Sequence, residues 1–319
     1  MYKTEHLGKR YSMGNGEAHM AESTPDIVAR RHNDSRIKIK GSQLFLYLIL
    51  ISGAIIAIIP FFWMVSTSLM TLGETIIKQW IPKLPQLSNY VEAWTEARFD
   101  KYFLNSVIIT VTTIVGLLIT STLAAYSFAR IKFFGRDLIF ALLIATMMIP
   151  ESVTMIPNFL MVRGNIVPLP GLPEWKGSWL NQLPALTVPF MANAFSIFLL
   201  RQFFIKIPDE YWDAARLDGA GHLRFLTQIV LPMSKAPLMT VLIFAFIGSW
   251  NAFLWPLLVT TKPTWRPLMV GLYTFVTEAG PETQLLMAGA VITLIPILIL
   301  YFLTQKQFTE GIATTGIKG

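Results

Sequence analysis

Six long apolar stretches constrain this chain more than any other feature of its sequence. Each approaches or exceeds the roughly 20 residues of helix needed to cross the ~30 Å hydrocarbon layer of a bilayer. A transmembrane β-barrel would instead show alternating segments of about 10 residues, and a backbone in lipid must satisfy its own hydrogen bonds. We therefore predict an all-α polytopic membrane protein with six transmembrane helices, at residues 44–66, 103–129, 138–161, 183–204, 237–259 and 285–303.

Composition agrees with this fold class and excludes several functions. Charged residues make up 14% of the 319 residues, whereas soluble domains have about 25%. Cysteine is absent, which excludes disulfides and thiolate metal ligands, and the four histidines lie outside the predicted spans. Metal or haem chemistry inside the membrane is therefore not expected.

The distribution of positive charge predicts the orientation. Lys and Arg concentrate in cytoplasmic loops, and most of the 26 in this chain fall on one side if the N-terminus is inside. The domains expected are a cytoplasmic N-terminal extension (1–43), the six-span body (44–304) and a cytoplasmic tail (305–319). No cleavable signal peptide is expected before the first span, because the residues that precede it are polar and charged. Residues 1–20 have the character of an expression leader, with native sequence expected to begin near Met20.

The segment at residues 208–232, between the fourth and fifth spans, is predicted to fold as helix, turn and helix. Pro208 suits the first turn of a helix, Glu210 suits its positive end, and two alanines continue it. Gly219 follows an aspartate and can supply a left-handed turn. A second short helix then begins near His222 and is predicted to break at Pro232. Either this loop presents a small-residue face to a partner, or it is an ordinary amphipathic connector.

The spacing of this loop resembles the EAA motif of permease subunits of ATP-binding-cassette (ABC) importers. Asp213, Ala214 and Ala215 are followed after three residues by Gly219, and after nine more by Ile229-x-Leu231-Pro232. Asp213 stands where that family usually has Glu. The resemblance runs from about residue 37 to the end and is similar to the carbohydrate-uptake branch, in particular to the maltose permease subunit without a large periplasmic domain. The segments that carry it are NSVIIT, FLLRQFF, SWNAFLWPLL, MVGLYTF and QKQFTEGIATTGIKG.

The resemblance implies a type I importer fold in the bacterial cytoplasmic membrane. Two such permeases pair, two ATPase subunits bind ATP and Mg beneath them, and an extracytoplasmic solute-binding protein delivers the cargo. This chain would bind no cofactor itself. The resemblance assigns coupling to the ATPase to Glu210, Asp213, Ala214, Ala215, Asp218 and Gly219. It assigns a tail contact with the ATPase subunits to Gly311, Gly316 and Lys318.

The chain is not expected to hydrolyse ATP. A phosphate-binding loop of the form GxxxxGK[ST] is missing from the sequence, and the pair Gly8-Lys9 lacks the preceding glycine and the following hydroxyl. The nucleotide site must therefore come from another subunit.

Polar or aromatic residues within spans are candidates for the transport pathway, because polar groups at membrane depth are costly. The alternatives are interhelical hydrogen bonding for the polar residues and packing for the aromatic ones. Neutral and acidic saccharides both stay open as substrates. The candidate pathway-lining residues are Glu151, Asn158, Asn193, Trp250 and Asn251.

The alternative function is a secondary active transporter of a small solute. Such transporters are expected to show internal repeats and paired ionisable groups near the middle of the membrane. Glu151 is a weak basis for that class, and the loop at 208–232 would be left without a role. The outer loop at 260–283 resembles the segment that contacts the solute-binding protein, and the loop at 163–182 is longer than a usual connection.

Overall fold

A computed structural model describes the backbone of residues 41–96, 98–164, 177–277 and 280–316. The chain divides into two compact units, one ending at Ala54 and the other beginning at Ile55, and the first helix runs through that boundary. All contacts given below lie within the second unit. The predicted expression leader, nearly all of the N-terminal extension, most of the loop at 163–182 and Lys318 lie outside the described residues.

The described chain is almost entirely helical. Its helices are α1 (Gly41–Ser68), α2 (Leu72–Ile76), α3 (Ser88–Glu96), α4 (Phe99–Arg130), α5 (Arg136–Thr146), α6 (Glu151–Arg163), α7 (Leu183–Thr187), α8 (Ala194–Phe204), α9 (Asp209–Leu217), α10 (His222–Phe225), α11 (Leu231–Met233), α12 (Lys235–Trp250), α13 (Leu254–Val259), α14 (Leu268–Leu272) and α15 (Thr283–Gly316). A π-helical turn, Leu226–Val230, joins α10 to α11. A single described antiparallel ladder pairs β1 (Val276–Thr277) with β2 (Gly280–Pro281).

The described helices give between three and six candidate spans, and the sequence predicts six. By length and apolar composition α1, α4 and α15 can each cross a membrane alone. Three bent pairs bring the number to six if each pair is one broken span: α5 with α6 at 101°, α7 with α8 at 42°, and the α10–α11 segment with α12 at 83°. The first bend falls at Pro150, which lacks the N–H that a continuous helix would need.

Three predicted boundaries differ from the structure. The span predicted at 237–259 stops as one helix at Trp250, where the Asn251 side chain donates to the carbonyl of Ile247 and caps the last turn. Pro232 does not break the preceding helix, because it occupies the first turn of α11, which tolerates proline; the chain turns at Ser234 instead. The tail predicted from residue 305 continues α15 as far as Gly316.

Helix α4 is the centre of the described body and packs against α8, α12 and α14. One apolar cluster lies where its second half meets α8, α9 and the π turn, and another lies where its first turns meet α14 and α15. The second contact is close: a Cβ on Gly289 of α15 would lie 2.6 Å from Leu272 Cδ2 and 2.8 Å from Phe99 Cζ. Glycine is therefore required there for the helices to approach.

The two ends of α4 hold different sets of loops. At its start, Asn105 donates to the carbonyls of Thr264 and Arg266 at 3.0 and 2.9 Å, and Ser106 Oγ accepts from the N–H of Leu268 at 2.8 Å. At its other end, Arg130 reaches the segment between α8 and α9. The predicted outer loop at 260–283 and the predicted coupling loop therefore lie at opposite ends of one helix.

Candidate functional site

Helix α9 ends in a turn that the sequence predicts at Gly219. The φ angle of Gly219 is +75°, a conformation that side chains other than glycine seldom adopt. The N–H of Ala220 donates to the carbonyl of Ala215 at 2.8 Å, and the N–H of Gly219 donates to that of Arg216 at 3.0 Å. These two bonds form a Schellman motif, which satisfies carbonyls at the end of the helix. The turn fixes the angle at which α10 leaves α9.

One face of α9 is exposed along its whole length. Glu210, Asp213, Ala214 and Leu217 share this face because they are spaced three or four residues apart. Leu217 is 90% exposed, which is unusual for a large apolar side chain beside two carboxylates. Asp218 and Gly219, also exposed, extend the face into the turn. We call Glu210, Asp213, Ala214 and Leu217 the α9 outer face.

Ala215 departs from the prediction that both alanines face a partner. Its side chain is 5% exposed and belongs to the apolar cluster beneath α9, with Ala220 packed against the same cluster. The prediction of a partner-facing side chain is therefore wrong for Ala215. A residue next to Ala214 in sequence lies about 100° around the helix, so one of the two must turn inward.

Aromatic rings hold α9 against α10 and α4 from behind. The Trp212 ring stacks on His222 with centroids 4.5 Å apart and meets the edge of Phe225 at 5.0 Å. His222 Nδ1 is hydrogen-bonded to the hydroxyl of Tyr126 on α4 at 2.8 Å. These side chains join α9 to α10 and α4 on the side opposite the α9 outer face.

Arg130, the last residue of α4, makes a second connection. Its Nε and Nη2 donate to the carbonyl of Phe204 at 3.1 and 2.7 Å, and Nη2 also donates to the carbonyl of Ile207. Nη1 pairs with Asp209 at the start of α9. The carbonyl of Phe204 would normally accept from the N–H of residue 208, but Pro208 has none, so Arg130 supplies the donor. Sequence reasoning missed Arg130, although Pro208 signals the unpaired carbonyl.

A cavity of about 950 Å³ opens where the bent helix pairs meet α4 and α12. Three of the five predicted pathway residues line it: Glu151 in the first turn of α6, Asn158 further along that helix, and Asn193. Asn193 also caps α8, since its Oδ1 accepts from the N–H of Ser196 at 3.0 Å. The break at Pro150 places Glu151 at a helix start facing this space.

The other two predicted pathway residues are not in the described lining of the cavity. Trp250 is 2% exposed, its ring stacks on Phe246, and its Nε1 donates to the carbonyl of Thr293 at 3.1 Å. Asn251 caps α12. Neither residue is placed in this lining, since Trp250 is used in packing and Asn251 at a helix end, and a pathway role for the exposed Asn251 stays a prediction. Trp255 lines the cavity in their place, with its Nε1 donating to the carbonyl of Ala185.

Comparison with known proteins decides the family. The family described as "Binding-protein-dependent transport system inner membrane component" matches residues 116–313. The chain belongs to this family. It is thus an inner membrane component of an ABC importer, a transport permease rather than an enzyme, and it works with a solute-binding protein. The alternative of a secondary active transporter is set aside.

Two curated relatives and one solved structure illustrate the family. The permease is 31% identical over 270 residues to the diacetylchitobiose uptake system permease protein NgcG of Streptomyces coelicolor, covering 83% of this chain and 85% of the relative. It is 32% identical over 285 residues to the sn-glycerol-3-phosphate transport system permease protein UgpE of Yersinia enterocolitica, covering 86% and 96%.

The solved structure is similar in fold over most of the permease. It is the crystal structure of a bacterial ABC transporter involved in the import of the acidic polysaccharide alginate, with a TM-score of 0.70 and 25% sequence identity. The match covers 82% of this chain and 95% of that one. The fold prediction, including six spans and an importer permease architecture, is confirmed.

Proposed function

We propose that this permease imports a carbohydrate and that the α9 outer face docks on a cytoplasmic ATPase subunit. The observation that carries the docking proposal is the exposure of Asp213 and Leu217 on a helix that is held from behind by Trp212 and Arg130. A helix fixed on one side and bare on the other is suited to transmit force. Exposed carboxylates beside an apolar side chain favour a concave partner surface carrying positive charge.

The orientation proposed follows from the distribution of Lys and Arg. The loop at 208–232 and both termini lie in the cytoplasm, which puts α9 on the side where the ATPase subunits reside. A second permease completes the pathway, and ATP and Mg bind on the ATPase subunits. Gly311 and Gly316, in the last part of α15, are proposed to contact those subunits together with Lys318.

The carbohydrate assignment rests on the cargo for which the relatives are named. NgcG is named for diacetylchitobiose, and the alginate importer is named for a polysaccharide. The cavity suits such cargo, because it combines hydroxyl and amide side chains with the aromatic rings of Phe195 and Phe244. Sugars bind through hydroxyl hydrogen bonds and through apolar ring faces that pack on aromatic side chains.

Charge reversal on the α9 outer face tests the docking proposal. The variant Asp213→Lys, in a complex with the second permease, the ATPase subunits and the binding protein, should bind the ATPase at least about tenfold more weakly, a loss of about 1.4 kcal/mol. Saccharide uptake should fall with it. The measurements are ATPase pull-down and ATP-driven uptake in proteoliposomes.

Glu92→Lys is the matched control, because Glu92 is an exposed carboxylate on α3, outside the α9 outer face. It changes the charge by the same amount and should leave assembly and uptake unchanged. Parental assembly and uptake in Asp213→Lys would show that the loop is only a connector. If the parent complex takes up no saccharide when ATP is supplied, the carbohydrate assignment is refuted.

A further inference from the structure

The cavity has one ionisable side chain among its described lining residues, and it is acidic. Glu151 stands in the first turn of α6, and no ion pair formed among the described residues involves it. The other polar groups of the lining are neutral hydroxyls and amides, including Thr113, Asn158 and Asn193. Within the described chain this half of the pathway therefore presents negative charge to its contents.

Thr113 adds a polar side chain to the cavity wall. It lies on α4, is 4% exposed and lines the cavity, and its hydroxyl has no hydrogen-bond partner among the described residues. Other hydroxyls of α4 differ in this respect: Ser106 accepts from Leu268 and Thr110 accepts from Ser249, whereas Ser121, outside the described lining, is also without a partner among the described residues. A buried hydroxyl without a partner is costly, so a polar ligand that reaches Thr113 would gain a hydrogen bond there.

The aromatic side chains of the cavity complete a site for a sugar. Phe195 and Phe244 meet edge to face with centroids 5.8 Å apart, and both line the cavity. Rings placed in this way offer an apolar platform, while Thr113 and Glu151 offer groups that bind hydroxyls. No described cation is present to hold a carboxylate or phosphate.

We propose that Glu151 makes this cavity selective for neutral saccharides over acidic ones. The inference deepens the proposed carbohydrate function and rests on it. Family membership leaves the charge open, because the relatives are named for both neutral and acidic cargo: diacetylchitobiose on one side, glycerol 3-phosphate and alginate on the other. A carboxylate accepts hydrogen bonds from neutral hydroxyls, whereas it repels a uronate or phosphate. Glu151 is exposed, so water screens part of this repulsion.

Binding to the permease complex tests this selectivity without selection by the binding protein. The probes are cellotriose, maltotriose and N-acetylated chitotriose, all neutral, with the C6-oxidised triuronates of the first two as acidic counterparts. Affinity is measured by saturation-transfer NMR on the complex of both permeases and the ATPase in nanodiscs. The parent should bind at least one neutral trisaccharide. Its affinity for that trisaccharide should be about tenfold or more above its affinity for either triuronate. A tenfold difference corresponds to one added repulsive interaction of about 1.4 kcal/mol.

Two substitutions locate the effect. Glu151→Gln should weaken neutral binding and strengthen triuronate binding, so that the preference falls by about tenfold if the charge is responsible. Thr113→Val removes the hydroxyl with little change in shape and should weaken the neutral trisaccharide while keeping the preference. Glu92→Gln, outside the cavity, is the matched control and should change neither.

Several outcomes would overturn the proposal. They are equal binding of neutral and acidic trisaccharides by the parent, an unchanged preference in Glu151→Gln, and binding of none of the probes. Each is distinct from failure of the carbohydrate function, which is read separately as the absence of ATP-driven saccharide uptake by the complete importer. If the complete importer takes up acidic saccharides, and the parent complex binds neutral and acidic trisaccharides with equal affinity, the importer function stands and the selectivity proposal fails.

Discussion

Replacing Arg130 with methionine should loosen the attachment of α9 to α4. The substitution keeps much of the side chain's apolar volume but removes every donor. The guanidinium lies in a nearly dry site, with Arg130 9% exposed, and it donates to the carbonyls of Phe204 and Ile207. Pro208 cannot replace it as a donor to Phe204.

The magnitude follows from these contacts. A hydrogen bond from a charged donor contributes about 1.5 to 3 kcal/mol, and a buried carbonyl left unpaired costs about 1 to 3 kcal/mol. Two carbonyls lose their partner, so local opening of the segment from Ile205 to Leu217 should become easier by about 3 kcal/mol. That is roughly a hundredfold rise in the open population. The ion pair with Asp209 adds little, because Asp209 is 86% exposed and such pairs contribute about 0 to 1 kcal/mol.

Hydrogen exchange over residues 205–217, measured by mass spectrometry in the reconstituted complex, reads the opening directly. Saccharide-stimulated ATP hydrolysis and uptake, measured on the same samples, should become uncoupled in Arg130→Met. Asp209→Asn is the control, since it removes only the exposed ion pair and should raise exchange by less than about tenfold. Equal exchange in Arg130→Met and the parent, or an equal effect of the two variants, would refute this account of the contact.

Two further predictions concern a glycine and a carboxylate outside the spans. Gly219→Val should strain the φ of +75° by about 1 to 3 kcal/mol and reduce coupled uptake, whereas Gly219→Asn should retain most of it, because Asn tolerates this conformation. The N–H groups of Thr71 and then Lys83 hold the pKa of Glu74 below its ordinary value of 4.5. The folded state binds a proton at Glu74 more weakly than the unfolded state does. Glu74 therefore stabilises its segment above pH 4.5, and this stabilisation is lost as the pH falls through its lowered pKa. The opening equilibrium of residues 71–83, obtained from exchange after correction for the intrinsic rate at each pH, should therefore rise with acid in the parent and rise less in Glu74→Gln.

The parts of this fold that depend on local sequence could be predicted. Apolar length was sufficient for the six spans, and the pair Asp218-Gly219 was sufficient for the turn, now observed with a positive φ at Gly219. The bends could be placed less well. Pro150 signals one of them, but Asn193 and Ser234 are ordinary residues whose effect on the helix depends on how its neighbours pack.

The parts that depend on contacts distant in sequence could not be predicted. Arg130 and Ile207 are 77 residues apart, so no local pattern joins them. The face of a helix that turns inward is likewise decided by its neighbours, so the sequence alone predicts a surface position for Ala215, which the structure buries. Trp250 is a reasonable candidate for the pathway by sequence, but its ring stacks on Phe246 and its N–H donates to the carbonyl of Thr293.

One helix carries both the contacts to the docking loop and a wall of the cavity. Tyr126 and Arg130 lie at the end of α4 that holds α9, and Thr113 lies on the same unbroken helix. The 17 residues from Thr113 to Arg130 span about 25 Å at 1.5 Å per residue. A tilt of about 5° transmitted through Arg130 would therefore displace one site by about 2 Å relative to the other. That is enough to make or break a hydrogen bond to a ligand. We therefore expect movement of the loop at 208–232 to displace the wall of the cavity at Thr113, because α4 is one unbroken helix between them.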